Sequence, residues 1–358
     1  MTLQDHTDDR MRKSINLFPA EYCHGSTPNW FEIQQGFDKG KSLFYLDFQN
    51  RPGTPQATVV FVHGNPESSY TYRHVIEHLR SSDHCIRIVA MDHIGFGLSD
   101  DADFEMVEMH HAANLLQLVR HLDLQQVTLA IHDWGGPIGV GTFIEEAWRV
   151  RNLVVMNSTV FPMPDDGYTY QNFPFRLLPW CITPRIVPNF LWGGLAAYVV
   201  SHGSPQAWPT FVLGVARWMW RHATRRISKG EPEYVWSQSF RSKPNALSSK
   251  RFVRQTPFWG HGYSYLDARH GPQDNHAFYK NIQEKLPAIW GTGPQAIGVA
   301  GHFGDWDACG KASVIQQWTT ALPQSVPHMH RHAQVGHFIE EYCGKDIADS
   351  VLRLNHLI

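Results

Sequence analysis

The sequence predicts an α/β protein, a mostly parallel sheet covered by helices, with a mainly helical insertion before its last strands. Four short, continuous apolar runs alternate with helical stretches between about residues 57 and 158. Such alternation is typical of a parallel sheet whose strands are buried on both faces. The next run of this kind is found at 296–301, and residues 160–285 before it are rich in Trp, Pro, Phe and Tyr.

Composition narrows the class of the 358-residue chain. Lys and Arg (31) nearly balance Asp and Glu (33), and the net charge of −2 excludes the basic surface of a nucleic-acid-binding protein. The hydrophobic fraction of 42% is enough for a large core. No signal peptide or membrane-spanning run is visible, and the five scattered cysteines form no CxxC pair. We therefore expect a soluble, cytoplasmic protein with neither nucleic acid nor membrane as a partner.

The first part of the sheet domain is predicted over residues 1–159, and about the first 28 of these form a polar lead-in. Strand-like runs at 30–37 and 42–49 predict a hairpin. The buried strands and the helices between them follow in chain order: strand 57–64, a helix from Ser68 or Ser69 to about Arg80, strand 86–93, a helix at roughly 105–122, strand 127–133, a helix opened by Gly135, and strand 153–158.

The second part of the sheet domain is predicted over residues 286–358, after a helical cap at 160–285. Its elements are a strand at 296–301, a helix near 311–322, a short strand at 326–333 and a final helix from Phe338. The sheet domain is therefore expected to be discontinuous, with the cap lying over it.

The turn after the third buried strand carries the first candidate catalytic residue. In IHDWGG, Asp133 occupies the exposed middle position of a sharp strand-to-helix turn, where the G-x-S-x-G pattern of a nucleophile elbow has its serine. Functional residues gather at such strand ends in open parallel sheets. The alternative for Asp133 is a helix N-cap, which is a common role. As a nucleophile, its carboxylate would displace a leaving group from carbon and form an ester.

Hydrolysis of that ester needs a base, and a base needs an acid to orient it. His337 follows the last short strand and is the candidate base, in the chain order nucleophile, acid, histidine. The acid is expected after the strand at 296–301, where GHFGDWDA offers Asp305 and Asp307, and we favour Asp305. The other suitable strand end holds Asn157 and Ser158, without a carboxylate.

The first buried strand ends in HGNP, which predicts a site for negative charge. Gly64 permits close approach of the backbone, and the amides of Asn65 and Trp134 are placed to converge on a developing anion. The side chains of Asn65 and Trp134 add two further N–H donors. Donors facing an Asp nucleophile suit an anionic leaving group such as a halide. A turn Asn and a packing Trp are the alternative interpretation.

Four segments together closely resemble the haloalkane dehalogenases of the α/β-hydrolase superfamily: HGNPESSYTYR, MDHIGFGLSD, IHDWGGPIG and GHFIEE. The resemblance covers the predicted sheet domain and is weak across the insertion. It implies an α/β-hydrolase fold and a hydrolytic dehalogenase that releases alcohol, halide and a proton, with Asp133 as nucleophile, His337 as base, and Asn65 and Trp134 as the halide-binding pair. A catalytic Asp after the later strand, combined with the Asn of HGNP, resembles the pattern of a subgroup near the β-lactone decarboxylases of olefin biosynthesis.

The insertion is expected to supply the walls of an apolar pocket. Its tryptophans offer apolar area without charge, although most of them are expected in the core of the cap: Trp180, Trp192, Trp208, Trp218, Trp220, Trp236 and Trp259. We choose Phe173 and Phe175 as pocket-lining residues. The expected partners are a small apolar halogenated substrate, water and the halide product, and a homo-oligomer is left open.

Other functions stay open at this point. A β-lactone decarboxylase or an epoxide hydrolase would use the same Asp and His, and a non-catalytic binding protein would need neither. Epoxide opening would require cap tyrosines, for which the candidates are Tyr168, Tyr170, Tyr198, Tyr234, Tyr263 and Tyr265. His328, His330 and His332 alternate along a short strand, a spacing that can bind zinc, but no metallohydrolase motif accompanies them. We therefore expect neither metal nor cofactor.

Overall fold

Eight strands form one sheet in the computed structural model, which describes residues 18–167, 180–193, 198, 208–228, 231–238, 240, 242–291 and 295–358. Two further strands, β7 and β8, form a separate antiparallel hairpin. In chain order the strands are β1 (Asn29–Glu32), β2 (Ser42–Gln49), β3 (Ala57–Val62), β4 (Ile86–Met91), β5 (Val127–His132), β6 (Val150–Met156), β7 (Ser264–Asp267), β8 (Gly271–Asp274), β9 (Gly298–Gly304) and β10 (Met329–His332).

The sheet order is β1-β2-β4-β3-β5-β6-β9-β10. Strand β2 pairs antiparallel with β1 and β4, and the six strands from β4 to β10 along this order pair in parallel. Parallel neighbours place their carboxyl ends at one edge, so β3, β5, β6 and β9 end side by side there. The mostly parallel α/β sheet that the sequence predicts is confirmed.

Ten α-helices lie in the described part of the chain, and short 3₁₀ turns join several of them. None of these helices is long and apolar enough to cross a membrane. The five cysteines are unpaired. The helices are α1 (Arg73–Arg80), α2 (Glu108–His121), α3 (Gly135–Phe143), α4 (Thr183–Ile186), α5 (Trp208–Ala223), α6 (Pro232–Gln238), α7 (Lys243–Gln255), α8 (His276–Leu286), α9 (Ala312–Ala321) and α10 (Glu340–Leu354).

Alternate residues of the central strands feed two cores, one on each face of the sheet. On β3, Val60 and Val62 join a cluster with residues of α2, α3, α8 and α9. Val59 and Phe61, on the opposite face, join a second cluster with residues of α1 and α10. Because both faces are covered, these strands are continuously apolar rather than alternating.

The insertion between β6 and β9 contains more than helices. Helices α4 to α7 are followed by the β7–β8 hairpin, which the sequence does not predict because its strands are polar and mostly exposed. Helix α8 begins at His276, before the predicted boundary at 285, yet it packs on residues of the predicted sheet domain. A Cβ at Gly141 of α3 would meet the ring of Phe278, and Lys285 and Asn281 both bond to Glu145. The division into cap and sheet domain at 160 and 285 stays a prediction.

Candidate active site

Asp133 lies in the turn between β5 and α3, at the carboxyl end of a central strand. Its φ of +49° falls in the left-handed region, which is uncommon for a residue other than glycine. This conformation is typical of the strained strand-to-helix turn that the sequence predicts here. Its carbonyl oxygen accepts a hydrogen bond of 2.6 Å from the Ser158 hydroxyl at the end of β6. The residue is 4% exposed.

Two glycines let the backbone close around this carboxylate. A Cβ at Gly64 would lie 2.4 Å from Asp133 Oδ2, and a Cβ at Gly135 would lie 2.0 Å from the carbonyl oxygen of Val62. With Gly64 in place, the backbone N–H of Asn65 donates to Asp133 Oδ2 at 2.8 Å. The ends of β3 and β5 are thereby joined at the carboxylate.

His337 lies opposite Asp133, in the loop between β10 and α10. Its Nε2 is 3.7 Å from Asp133 Oδ1. Its Nδ1 is 2.7 Å from Asp307 Oδ2, at the end of β9. The structure thus brings the predicted nucleophile and base together, and it supplies a carboxylate for the far nitrogen of the imidazole.

The carboxylate beside His337 belongs to Asp307, so the preference for Asp305 as the acid is corrected. Asp305 is exposed, and its Oδ1 accepts from the backbone N–H of Gln334 at 2.9 Å. Asp307 is 1% exposed and caps the next turn, where its Oδ1 accepts from Cys309 N at 2.7 Å and its other oxygen faces His337. The two carboxylates stand on one tight turn after β9, and the turn directs Asp305 outward and Asp307 inward.

The electrostatics of the pair favour acid–base chemistry. Burial raises the pKa of Asp133 above its ordinary value. Burial alone would lower the pKa of His337, but the carboxylates of Asp307 and Asp133 outweigh it and raise that pKa. A raised pKa suits His337 to take a proton from water near neutral pH.

Asn157 orients the loop that carries His337, a role that the sequence does not suggest. Its Nδ2 donates to the carbonyl oxygens of Gly336 and His337 at 2.9 and 2.8 Å. Its Oδ1 accepts from Gly304 N at 2.8 Å. One amide therefore ties the end of β6 to the end of β9 and to the histidine loop.

A hydrogen bond from helix α7 of the insertion holds the side chain of Asn65. Its Oδ1 accepts a 2.5 Å hydrogen bond from the hydroxyl of Ser249 on α7. The same hydroxyl accepts from Trp192 Nε1 at 2.9 Å. Because Oδ1 is bound to Ser249, the amide directs its Nδ2 donors away from that residue. Ser249 is a further residue that the sequence does not identify, whereas Trp192 is one of the tryptophans that the sequence analysis names in the insertion.

Trp134, the other predicted halide-binding residue, is 3% exposed and packs under the cap. Its ring stacks on Trp259 with 3.8 Å between centroids and lies 5.1 Å from Phe252 of α7. Trp259 is fixed in turn, because its Nε1 donates to the carbonyl oxygen of Thr159 at 2.7 Å. Two aromatic rings of the insertion therefore pack on Trp134, the residue that directly follows Asp133.

Known proteins share this architecture. A family model described as the alpha/beta hydrolase fold matches residues 57–186. Over 328 residues, 87% of the chain and 83% of the relative, the chain is 28% identical to the cis-3-alkyl-4-alkyloxetan-2-one decarboxylase of Shewanella oneidensis. It is 33% identical to haloalkane dehalogenase 2 of Mycobacterium tuberculosis over 150 residues, 42% of the chain and 48% of that protein.

The fold is also that of a solved dehalogenase. The tetrameric haloalkane dehalogenase from Paraglaciecola agarilytica matches with a TM-score of 0.66, 20% identity and 96% coverage of each chain. The chain has the α/β-hydrolase fold and is similar to haloalkane dehalogenases and to a β-lactone decarboxylase. The fold class and the resemblance predicted from the four motifs are confirmed.

This α/β-hydrolase fold contains a buried acidic cluster next to the catalytic candidates. Glu67, His132 and Glu340 are each 0% exposed. His132 Nδ1 lies 2.6 Å from Glu67 Oε1 and 2.9 Å from Glu340 Oε1. We refer to these three residues as the Glu67 cluster. The sequence places Glu67 within HGNPE and Glu340 within GHFIEE, but their approach to His132 is a long-range contact.

The zinc alternative requires His328, His330 and His332 to converge, but His332 contacts a histidine of the neighbouring strand instead. His332 Nε2 lies 3.1 Å from His302 Nδ1 on β9. In the described part of the chain, the groups able to converge on an ion are His332 with Cys343 and Asp346, and Glu67 with His132 and His337. In the second group, the 2.6 Å approach of Glu67 to His132 is that of an ion pair.

The pocket residues chosen from the sequence, Phe173 and Phe175, lie outside the described residues, as do Tyr168 and Tyr170. Five of the seven tryptophans expected in the insertion have described side chains. Trp192, Trp218, Trp236 and Trp259 are buried, whereas Trp220 is 52% exposed. The side chains of Trp180 and Trp208 are also outside the described set.

Proposed function

We propose that this α/β hydrolase is a haloalkane dehalogenase. The proposal rests on the carboxylate of Asp133, which lies at the strained turn after β5. His337 Nε2 is 3.7 Å from this carboxylate. A carboxylate in this position can displace a leaving group from carbon, which a hydroxyl activated by histidine does poorly. The Asp307 carboxylate on Nδ1 then orients the imidazole as a base.

In the first step, a carboxylate oxygen of Asp133 bonds to the carbon that carries the halogen. The carbon–halogen bond breaks, and the halide leaves with the electron pair. The Asn65 backbone N–H keeps Oδ2 in place at 2.8 Å. The N–H donors of the Asn65 and Trp134 side chains stabilise the departing halide, whose charge develops only as the bond breaks.

In the second step, water restores the carboxylate. The water oxygen bonds to the carbonyl carbon of the Asp133 ester while one water proton passes to His337 Nε2. The bond from that carbon to the alkyl oxygen breaks, and the alkoxide takes up a proton to leave as the alcohol. The Asp133 carboxylate is restored, and the remaining proton passes to solvent. Asp307 stabilises the imidazolium throughout.

A β-lactone decarboxylase is the second candidate, because the decarboxylase relative covers 87% of this chain, whereas the dehalogenase relative covers 42%. The discriminating assay measures halide release from brominated and chlorinated alkanes, and it runs beside an epoxide and a cis-3,4-dialkyloxetan-2-one. We expect halide and alcohol from the bromoalkanes. Alkene from the lactone, with no halide from any haloalkane, would replace the dehalogenase proposal with the second candidate.

The same proposal specifies the partners: a small apolar halogenated substrate, water and a halide ion. Assembly with further copies of the chain is supported by the tetrameric relative from Paraglaciecola agarilytica. A cytoplasmic location stays a prediction from the sequence.

Losing either predicted halide donor should slow the reaction strongly. We expect Trp134→Phe and Asn65→Ala each to lower halide release by about 10²–10³-fold, the usual effect of removing one donor to a developing anion. Bromide or iodide should quench tryptophan fluorescence in the wild-type protein and do so less in Trp134→Phe. Thermal unfolding controls for folding. Undiminished halide release by both folded variants would contradict the assignment.

The two neighbouring carboxylates after β9 should respond differently to the same substitution. We expect Asp307→Asn to lower kcat by about 10⁴-fold. We expect Asp305→Asn to leave it near wild type, because that side chain is exposed. Removing the charge of Asp307 should also lower the pKa of His337, so the residual activity should rise with pH through an inflection at lower pH. The reverse order of effects would restore Asp305 as the acid.

A further inference from the structure

We propose that Glu67 is a positioning residue that holds and stabilises His337 while water hydrolyses the Asp133 ester. This inference rests on the proposed function and concerns its second step. The Glu67 cluster lies next to Asp133 and His337, and Glu67 has no part in the two reaction steps described above. Two approaches to His337, one to its side chain and one to its backbone, carry the inference.

The first approach is made by the carboxylate of Glu67. Its Oε1 lies 3.7 Å from His337 Nε2, the same distance at which Asp133 Oδ1 lies from that nitrogen. Its Oε2 accepts from Gly64 N at 3.1 Å, which fixes the carboxylate at the end of β3. His337 Nε2 therefore faces two carboxylates, and Asp133 is the one that the reaction esterifies.

The second approach comes from His132. Its Nε2 donates to the carbonyl oxygen of His337 at 2.9 Å, while its Nδ1 lies between the carboxylates of Glu67 and Glu340. Both nitrogens of His132 therefore carry protons. Burial would lower the pKa of His132, but Glu340 and Glu67 outweigh it and hold this pKa well above its usual range. Burial raises the pKa of Glu340.

Esterification of Asp133 leaves Glu67 as the carboxylate that faces His337 Nε2. The groups that face His337 are Asp307 at Nδ1, Asp133 and Glu67 at Nε2, and the His132 ring, 4.8 Å away between centroids. The ester of Asp133 carries no charge. When His337 takes a proton from water, the Glu67 carboxylate remains beside the protonated nitrogen. There it stabilises the imidazolium and offsets the positive charge of His132, which lowers the pKa of His337.

The experiment compares the two steps in Glu67→Gln. Rapid-quench kinetics with a bromoalkane measure halide release for the first step and alcohol release for the second, and mass spectrometry follows the ester on the Asp133 peptide. Glu340→Gln is the matched control, because it removes a buried carboxylate from the same His132 nitrogen and keeps Glu67. Glu67→Asp keeps the charge but sets it farther from His337.

We expect Glu67→Gln to slow ester hydrolysis by about 10- to 100-fold, to slow alkylation much less, and to accumulate ester. The pH inflection of hydrolysis should move lower, because the imidazolium loses a neighbouring negative charge. Glu67→Asp should show the same imbalance more weakly, and it carries the test if Glu67→Gln does not fold. Glu340→Gln should keep the wild-type ratio of the two rates.

Equal slowing of both steps, with an unmoved pH inflection, would show that Glu67 is only structural and would overturn the inference. The same imbalance in Glu340→Gln would overturn it too, because the effect would then belong to His132. Wild-type protein that forms no ester would overturn both the inference and the proposed function. Wild-type ester formation with an unaltered Glu67→Gln would overturn the inference alone.

Discussion

Asp133→Asn is expected to lower turnover by about 10⁶-fold, the loss seen when the nucleophile of a catalytic triad is removed. The amide keeps the shape of the side chain and an oxygen for the Asn65 N–H, which donates to Asp133 Oδ2 at 2.8 Å. It is a poor nucleophile, so neither the ester nor the free halide should form. Steady-state halide release measures the loss, and thermal unfolding shows whether the fold is kept.

Asp305→Asn is the matched control, because it removes an exposed carboxylate by the same chemistry. A folded Asp133→Asn variant with turnover near that of the control would show that Asp133 is only structural. The covalent mechanism would then be wrong.

His337→Phe is expected to abolish turnover to a similar extent while leaving the first step in place. The base acts only on water in the second step, so a bromoalkane should still alkylate Asp133 and the ester should persist. Phe fits the buried site without a basic nitrogen; His337 is 2% exposed. Mass spectrometry after incubation should show a stable alkyl adduct on the peptide that contains Asp133.

The double variant Asp133→Asn with His337→Phe should show no adduct, which places the alkyl group on Asp133. A His337→Phe protein that binds the bromoalkane and stays unmodified would contradict the two-step account. Continued hydrolysis of the adduct would show that another residue activates the water.

The sheet was predictable because burial on both faces leaves a local signal. Val59 to Val62 of β3 are all apolar since successive side chains enter different cores, and Gly64 in the following turn indicates where the strand ends. The same local chemistry identified Asp133 and His337, because strand ends meet at one edge of a parallel sheet. Four separate motifs therefore sufficed to predict the fold and the central pair.

The third catalytic candidate depended on the direction of two side chains in one turn. Asp305 and Asp307 have the same chemistry and lie two residues apart, and only the tight turn after β9 separates an exposed carboxylate from one that reaches His337. Composition and spacing carry no information about that direction.

The Glu67 cluster could not be found from local patterns either. Its members lie at 67, 132 and 340 and meet only after β3, β5 and α10 have packed. A signal was present, since acidic residues in HGNPE and GHFIEE flank predicted catalytic motifs. That Glu67 and Glu340 form one buried cluster is visible only from their distances to His132.

Labelling with heavy-oxygen water tests the central claim, covalent catalysis by Asp133, most directly. Wild-type protein is allowed many turnovers of a bromoalkane in this water, and the peptide that contains Asp133 is then weighed. Water that attacks the ester carbonyl leaves its oxygen in the carboxylate, so we expect heavy oxygen in Asp133 and, on repeated turnover, a second such atom. Heavy oxygen in the alcohol alone, with an unlabelled Asp133, would mean that water attacks the substrate directly and would contradict the account.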